Sequence, residues 1–519
     1  MMTAALNHTA SLTRTALVLL LLGLGLFATP LSAQPAPPAS LSSVIDTALA
    51  REDFNGSIWG VAVANLNSGY TLYERNPHTL FTPASNTKLF TSAAALEQLG
   101  PDYRFETRVY AEGTVRDSVL DGNLVVRGAG DPTIGGREQE DDPTAVFRAW
   151  ADSLRAAGIN RITGNLIGDD DIFTDEPLGY GWSWDDTPYY YAAEIGGLAF
   201  NRNTVDVTIE SRFVGMPGHV RWAPFNTDYV TIVNETETIA ASKEEDEDYE
   251  RPLGSNTIYL RTKLPQGMTE EESLTISNPT LYFTYVLRQV LERQGITVEG
   301  TAVDVDDLDR KPDYDAPAMQ PVARYQSIPL SEIVTTLNRE SSNLYAEQVI
   351  RTLGVEQPAD SVDDDVEIGS GEMGVEAAMR TYVRAQIDTS RIQFADGSGL
   401  SRHNLVTPRS VVTLLTYLWN HPDAAVKRSF YDSLPVGGEN GTLEYRFRGT
   451  AQARGQVRAK TGTLSNASAL SGYVRTADGT PLAFAILCNH HITDSDFVRE
   501  AQDIIVNALA GSPPLSPPE

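Results

Sequence analysis

The sequence predicts an α/β (α+β) fold built as one discontinuous unit with a long insertion. Three observations predict it. A strand pair followed by a helix lies in the first hundred residues, helices and a second strand pair follow Pro329, and short alternating strands fill the stretch between. Because strands from both ends of a chain can complete one sheet, we expect a single domain over 34–100 and 321–512. Residues 101–320 are then a β-rich insertion.

The N-terminal elements are predicted by local pattern. Residues 41–49 form a short apolar-periodic helix, and the segments SIWGVAVA (57–64) and YTLYE (70–74) form strands. The tripeptide Asn67-Ser68-Gly69 between them is typical of a hairpin turn. The segment from Thr87 to Leu99 is rich in Ala and Leu and ends at Gly100, which indicates a helix with a glycine stop.

The middle of the chain has a different pattern. Short alternating segments such as NTVDVTIE and NTIYLRT, separated by Gly, Pro and acidic residues, predict strands joined by loops. The run EEDEDYE at 244–250 is expected to be a solvated loop, and 280–294 is expected to be a helix.

The C-terminal part is predicted to be helical and to end in a hairpin. Its apolar runs at 469–474 and 482–489 flank Ala477-Asp478-Gly479, a hairpin signature. The helices are predicted over 343–353 with a stop at Gly354, over 375–387, from Thr407-Pro408 to Trp419, and from about 494 to 508.

Composition excludes several classes of protein. The chain has 519 residues with 41% hydrophobic and 21% charged residues, which is ordinary for a globular protein. Its net charge of −29 would repel nucleic acid, so no nucleic-acid partner is expected. Cys488 is the only cysteine, which excludes an intramolecular disulfide, a cysteine zinc site and an iron–sulfur cluster.

The two ends of the chain are expected to lie outside the fold. Arg14, the apolar run over 16–28 and the small residues Leu31-Ser32-Ala33 have the order of a signal peptide over 1–33. That run is too short for a comfortable membrane span, so no integral membrane anchor is expected. The Pro-rich segment 513–519 is expected to be a disordered tail. The protein is therefore predicted to be exported, to a periplasmic or cell-wall-associated location.

Ser85 and Lys88 form the first candidate site. Three residues apart at the start of a helix, they share one face of the first turn, with Cβ atoms about 5–6 Å apart. Backbone N–H groups at a helix start are unpaired, so a serine there can be a nucleophile beside an oxyanion donor. A lysine whose pKa is lowered by burial can serve as its base. Taken alone, the pair favours the plainer interpretation, in which Ser85 is a helix cap and Lys88 a surface lysine.

Two further triplets favour the catalytic interpretation. Ser341-Ser342-Asn343 opens a helix, and Lys460-Thr461-Gly462 precedes the C-terminal hairpin. The order S-x-x-K, S-x-N, K-T-G is the signature of penicillin-interacting serine enzymes. Only six residues of the chain are lysine, and two of them fall at the two positions that this signature requires.

The chain resembles low-molecular-mass (class C) penicillin-binding proteins, the serine-type D-alanyl-D-alanine carboxypeptidases and endopeptidases. Besides the triplets, the resemblance rests on segments spread over nearly the whole mature chain: 64–99, 127–133 (RGAGDPT), 168–173 (GDDDIF), 337–347 (LNRESSNLYAE), 396–408 (DGSGLSRHNLVTP) and 460–489. It implies a penicillin-binding-protein/β-lactamase-like domain in which helices flank an antiparallel sheet. It also implies that the insertion consists of two nested domains.

The resemblance implies a role for each motif residue. Ser85 would form the acyl-enzyme and Lys88 would take its proton, while Ser341 would relay a proton to the leaving amine. Asn343 would bind the substrate amide, and Lys460 and Thr461 would bind the terminal carboxylate. Gly462 would allow the strand to approach the substrate closely. The backbone N–H groups of Ser85 and Thr463 would form the oxyanion hole. The expected partners are peptidoglycan stem peptides and cross-links, with β-lactam antibiotics as covalent inhibitors. No cofactor or metal is expected.

Two alternatives remain open at the level of sequence. A serine β-lactamase would share the first steps and differ in deacylation, but Ser341 lies 256 positions after Ser85, far more than the spacing in class A β-lactamases. A non-catalytic wall-binding or β-lactam-sensing protein could use the same fold. The presence of Ser85, Lys88 and Lys460 disfavours this second alternative.

Overall fold

The computed structural model describes residues 40–136, 142–359 and 366–512. The predicted signal peptide and the predicted C-terminal tail lie outside these residues. Within them, no helix combines the length and the apolar character that crossing a bilayer requires.

Ten α-helices lie in the described ranges. They are α1 Leu41–Leu49, α2 Thr87–Gln98, α3 Ala145–Ala156, α4 Pro279–Arg293, α5 Leu330–Arg339, α6 Asn343–Glu356, α7 Gly371–Arg384, α8 Pro408–Trp419, α9 Ala424–Ser433 and α10 Ser495–Ala510. Several begin with the caps that their sequences predict. Thr407, for example, accepts a hydrogen bond from the Ser410 backbone N–H, and Pro408 occupies the first helical position.

The strands fall into two groups along the chain. Those before residue 200 are β1 Ile58–Asn65, β2 Thr71–Arg75, β3 Glu106–Arg116, β4 Val119–Arg127, β5 Arg161–Ile162 and β6 Leu166–Asp169. Those after it are β7 Thr204–Glu210, β8 His219–Ala223, β9 Thr231–Asn234, β10 Glu237–Ile239, β11 Tyr249–Glu250, β12 Thr257–Leu260, β13 Lys263–Pro265, β14 Thr269–Thr275, β15 Thr297–Val298, β16 Ala302–Asp304, β17 Met319–Gln326, β18 Val457–Leu464, β19 Ala467–Arg475 and β20 Pro481–Asn489.

A five-stranded antiparallel sheet joins the two ends of the chain. Its order is β18-β19-β20-β1-β2, so the N-terminal hairpin pairs with the C-terminal one through β1 and β20. Apolar side chains project from both faces of this sheet. One face packs with residues of α2 and α5–α9, and the other packs with α1 and α10. The predicted α/β fold, with helices flanking an antiparallel sheet, is confirmed.

The segment between these ends forms separate sheets. β3–β6 and β15–β17 make a seven-stranded sheet, and β7–β14, which lie between β6 and β15 along the chain, make three smaller sheets. β17 is the last strand of the seven-stranded sheet along the chain, and it pairs with β3 as far as Gln326. This sheet therefore continues past residue 320, the predicted end of the insertion. The division of the insertion into two nested domains stays a prediction.

Two helix ends differ from the sequence prediction. α6 continues past Gly354 to Glu356, and α7 begins at Gly371 rather than at Val375. Gly354 packs against α7, where an added Cβ would lie 2.7 Å from the Gly374 backbone nitrogen. This glycine allows a close helix contact instead of ending the helix, a function that local sequence could not distinguish from a stop.

Candidate active site

Ser85 lies in a tight turn at the start of α2. A 3₁₀ turn over Ala84–Asn86 leads directly into α2, and Ala84 has a left-handed backbone with φ 48°. Side-chain-bearing residues rarely adopt this conformation, which costs free energy of order 1–3 kcal/mol and tends to occur at functional sites. The turn holds Ser85 at the positive end of a buried helix.

Lys88 lies fully buried beneath Ser85. Its Nζ is 3.0 Å from Ser85 Oγ, 2.5 Å from Asn343 Oδ1 and 2.7 Å from the Ser398 carbonyl oxygen. Burial lowers the pKa of Lys88 to about 7, although the charges of Asp396 and Glu347 oppose this shift. At neutral pH a large share of this amine is therefore uncharged.

Lys460 and Ser341 form a second pair beside the first. Lys460 is also fully buried, and its Nζ donates to Ser341 Oγ at 2.8 Å and to the Thr461 carbonyl oxygen at 3.0 Å. Burial, followed by the charge of Lys88, lowers the pKa of Lys460 well below its usual range. Ser341 lies between α5 and α6 in a left-handed conformation with φ 60°.

Asn343, the first residue of α6, joins Lys88 to the insertion. Its Oδ1 contacts Lys88, and its Nδ2 donates to the Tyr191 carbonyl oxygen at 2.7 Å. Both ends of the side-chain amide are therefore engaged. The predicted contact of Asn343 with a substrate amide stays a prediction.

The K-T-G segment lies on β18, the edge strand that faces the turn of Ser85. An added Cβ at Gly462 would lie 2.6 Å from the Pro83 carbonyl oxygen and 3.1 Å from the Ser85 backbone nitrogen. Thr461 Oγ1 is 2.9 Å from Thr442 Oγ1, and Thr463 follows on the same strand with an exposed side chain. The three distant motifs thus meet at one site, because Asn343 contacts Lys88 and β18 lies against the turn that carries Ser85.

A buried carboxylate pair, Glu347 and Asp396, supports this site. The sequence resemblance placed the loop of Asp396 near the site, but sequence reasoning did not single out Glu347. Glu347 Oε1 accepts hydrogen bonds from the backbone N–H groups of Gly397 and Ser398, at 3.1 and 2.8 Å. Asp396 accepts from the backbone N–H groups of Gly399 and Ser401, at 2.7 and 2.6 Å. Both residues lie in segments on which the resemblance rests, and that was the available signal. Together they shape the loop whose Ser398 carbonyl contacts Lys88.

The insertion also reaches the site. Trp182 Nε1 donates to Asp396 Oδ2 at 3.0 Å, and the Tyr191 carbonyl accepts from Asn343. Trp184, by contrast, is 75% exposed. Trp182 therefore anchors the loop that carries Asp396.

Comparison with known proteins supports the resemblance. Residues 41–511 match the family described as D-Ala-D-Ala carboxypeptidase 3 (S13). A D-alanyl-D-alanine carboxypeptidase from an Actinomadura species is 36% identical over 480 residues, which cover 90% of this chain and 84% of that protein.

Solved structures share the fold. Penicillin binding protein 4 from Haemophilus influenzae aligns with a TM-score of 0.74 at 22% identity, over 90% of this chain and 99% of that chain. The same protein complexed with a β-lactam aligns with a TM-score of 0.69 at 22% identity, over 91% and 98% of the two chains. Because the family match covers almost all of the described residues and a relative exceeds one-third identity, the chain belongs to the D-Ala-D-Ala carboxypeptidase 3 (S13) family.

Proposed function

We propose that this protein is a serine-type D-Ala-D-Ala carboxypeptidase that acts on peptidoglycan stem peptides through an acyl-enzyme on Ser85. Family membership and the name of the Actinomadura relative support the reaction. The complex of the Haemophilus protein with a β-lactam supports the proposal that this class of compound binds here as well.

The observation that carries this proposal is the set of three contacts around Lys88 Nζ. A neutral amine has two N–H donors and one lone pair, whereas an ammonium has three donors and no lone pair. Asn343 Oδ1 and the Ser398 carbonyl oxygen can only accept, so they take the two N–H donors. In the uncharged amine the lone pair is then left for the hydroxyl of Ser85, at 3.0 Å, whereas the ammonium would donate its third N–H to that oxygen. Lys88 is therefore suited to remove the proton of Ser85.

The reaction then runs in two steps. Ser85 Oγ attacks the carbonyl between two D-alanines and loses its proton to Lys88. The C–N bond breaks, an ester forms on Ser85, and the leaving amine receives a proton through Ser341. Water then attacks the ester, which releases the shortened peptide and restores the hydroxyl. In this scheme Lys460 and Thr461 hold the terminal carboxylate.

The oxyanion hole follows from the closeness of β18 to the turn of Ser85. A Cβ on Gly462 would lie 3.1 Å from the Ser85 backbone nitrogen, so β18, the strand that also carries the Thr463 N–H, runs beside the N–H of Ser85. We propose that these two N–H groups stabilise the charge that develops on the carbonyl oxygen. Such donors are typically worth about 3–4 kcal/mol of transition-state stabilisation.

We extend the proposal to substrate range and location. The same chemistry would cleave D-alanyl cross-links, because only the leaving amine differs. Export by the N-terminal signal, to a periplasmic or cell-wall location, stays part of the proposal and rests on the sequence of residues 1–33.

Labelled penicillin tests the proposal directly. We expect a long-lived adduct that mass spectrometry maps to Ser85, and release of D-alanine from a muropeptide. Rapid release of the label would favour a β-lactamase, and a folded protein that forms no adduct would favour a binding protein.

The Lys88→Ala substitution tests the assignment of the base. We expect it to abolish acylation while circular dichroism stays unchanged. Lys243→Ala is the matched control, because Lys243 is an exposed lysine in the acidic loop and should leave acylation at the wild-type rate. Normal acylation of the Lys88→Ala variant would contradict the role of Lys88.

A further inference from the structure

A large cleft lies between the insertion and the part of the chain that carries the candidate site, and its volume is about 1120 Å³. Ser342, Asn343 and Thr442 line it, and Asn343 Oδ1 accepts a hydrogen bond from Lys88. Pockets that bind a whole drug-sized ligand measure about 300–1,000 Å³. The cleft therefore has far more room than one leaving D-alanine would fill.

One wall of the cleft is the outer face of the small sheet β14-β7-β8. Along β7 the side chains of Val205, Val207 and Ile209 are buried in the core, so the alternate residues face outward. The strand register aligns Arg221, Thr208 and Glu271 across the three strands. This row lines the cleft and presents opposite charges on either side of a threonine.

The other wall belongs to the five-stranded-sheet domain. It includes Tyr445, whose side chain is 72% exposed, and Thr442, whose Oγ1 lies 2.9 Å from Thr461 Oγ1. In the proposed mechanism Thr461 holds the carboxylate of the leaving residue. The cleft thus begins where that carboxylate lies.

We infer that this cleft binds the second stem peptide of a cross-linked peptidoglycan substrate, an inference that rests on the proposed function. A cross-linked substrate has the same carboxylate beside the scissile bond, but its leaving residue also carries a further peptide. That peptide must continue away from Thr461, and the cleft is the space that continues there. A stem peptide carries free carboxylates together with an amine, which suits a wall bearing both Arg221 and Glu271.

The chemistry is unchanged for this larger leaving group. The amide C–N bond breaks, the Ser85 ester forms, and the proton passes to an amine that now belongs to the second stem. The cleft therefore affects the cleavage rate only of substrates whose leaving group is a peptide. The catalytic residues affect the cleavage rate of every substrate, so the two effects can be measured separately.

The test compares one variant on two substrates. We expect Arg221→Glu to lower kcat/KM about fivefold for a sugar-free cross-linked stem-peptide dimer, the size of effect expected for an exposed charge. The same variant should cleave an uncross-linked pentapeptide within about twofold of the wild-type rate. Tyr445→Ala, on the opposite wall, should show the same selectivity.

Arg212→Glu is the matched control. Arg212 and Arg221 both pair with Glu210, and their side chains are 56% and 54% exposed, but Arg212 does not line the cleft. We expect Arg212→Glu to change neither rate. Circular dichroism on all three variants excludes loss of the fold as the cause.

The other possible outcomes would contradict either the inference about the cleft or the proposed function. Equal losses on both substrates, or no loss on the dimer, would overturn the inference while leaving the proposed function intact. A disaccharide pentapeptide monomer is the third substrate, and a loss confined to it would assign the cleft to the glycan and would also overturn the inference. Absence of cleavage and of penicillin acylation in the wild-type protein would instead reject the proposed function.

Discussion

At the scale of single residues, the chemistry depends on where Lys88 lies rather than on its presence. Its amine is fully buried, and burial disfavours the charged form. Asp396 and Glu347 offset part of this effect, because their negative charges favour the ammonium. The balance brings the pKa of Lys88 to about 7, where the amine can accept and return a proton.

This pKa predicts the pH dependence of acylation. We expect the second-order rate constant for penicillin to rise about tenfold per pH unit below pH 7 and to level off above it. Stopped-flow acylation between pH 5 and 9 measures this profile. A rate that does not change across that range would exclude Lys88 as a base with a pKa near 7.

The same shift predicts how stability changes with pH. In the unfolded chain Lys88 has a pKa of about 10.4, so between about pH 7 and 10.4 the unfolded state binds more protons than the folded one. The cost of burying the charged amine is therefore complete below about pH 7 and is relieved as pH rises towards 10.4. Urea unfolding should show that the destabilisation from Lys88, measured against Lys88→Met, falls with rising pH.

Glu347→Gln tests the electrostatic balance around Lys88. Glutamine keeps an oxygen that accepts from the Gly397 and Ser398 backbone N–H groups but removes the charge that raises the pKa of Lys88. Burial raises the pKa of Glu347 itself to about 7, so part of its charge is already lost on the rising limb of the acylation profile. We therefore expect that limb to move only modestly to lower pH. Glu356→Gln, on the same helix and bonded to Tyr103, is the matched control and should leave the profile in place. A shift to higher pH would contradict this account.

At the scale of elements, the site depends on how closely β18 approaches the turn before α2. Gly462 has no side chain, and the Pro83 carbonyl occupies the place where a Cβ would lie. Ala84 and Ser341, on either side of this contact, both have positive φ. The close approach and the unusual backbone conformations bring three motifs together within hydrogen-bonding distance.

Gly462→Ala tests this contact between elements. The added methyl would lie 2.6 Å from the Pro83 oxygen, so β18 must move away from Ser85. We expect acylation to slow by more than about tenfold and the free energy of unfolding to fall by about 1–3 kcal/mol. Gly371→Ala is the control, because the nearest atom there lies 3.7 Å away. Wild-type acylation of Gly462→Ala would show that the close approach is not needed.

At the scale of the whole molecule, the insertion contributes to the site rather than only extending from it. Trp182 donates to Asp396, the Tyr191 carbonyl accepts from Asn343, and Arg202 forms a 2.8 Å ion pair with Glu340, next to Ser341. Each contact joins the insertion to a segment beside the two lysines. The insertion therefore supports both the loop below Lys88 and the turn that holds Ser341.

Trp182→Phe measures one of these contacts. The substitution removes the N–H that donates to Asp396, and we expect the free energy of unfolding to fall by about 1–2 kcal/mol. Amide hydrogen exchange over residues 396–404 should become faster. Trp184→Phe is the matched control, since Trp184 is 75% exposed, and it should leave both quantities unchanged. Unchanged exchange in Trp182→Phe would show that the loop does not depend on this contact.

The sequence alone was sufficient for much of the fold and for the identity of the reactive groups. Periodicity and caps predicted the N-terminal hairpin, α2, α8 and the C-terminal hairpin, because these signals lie within a few residues of one another. Side-chain chemistry and the order of three short motifs singled out Ser85, Lys88, Ser341 and Lys460. Their catalytic roles stay a proposal.

Tertiary structure alone decided the properties that arise between distant residues. Nothing near Gly354 in the chain shows that α7 packs against it, and nothing near Lys88 shows that Glu347 and Asp396 lie beside it. The lowered pKa of Lys88 and the cleft beside the insertion depend on burial and on contacts across hundreds of residues. The amino-acid sequence determined which groups are available, and packing determined their protonation, their distances and the space left for a substrate, because all three depend on neighbours that only the folded chain brings together.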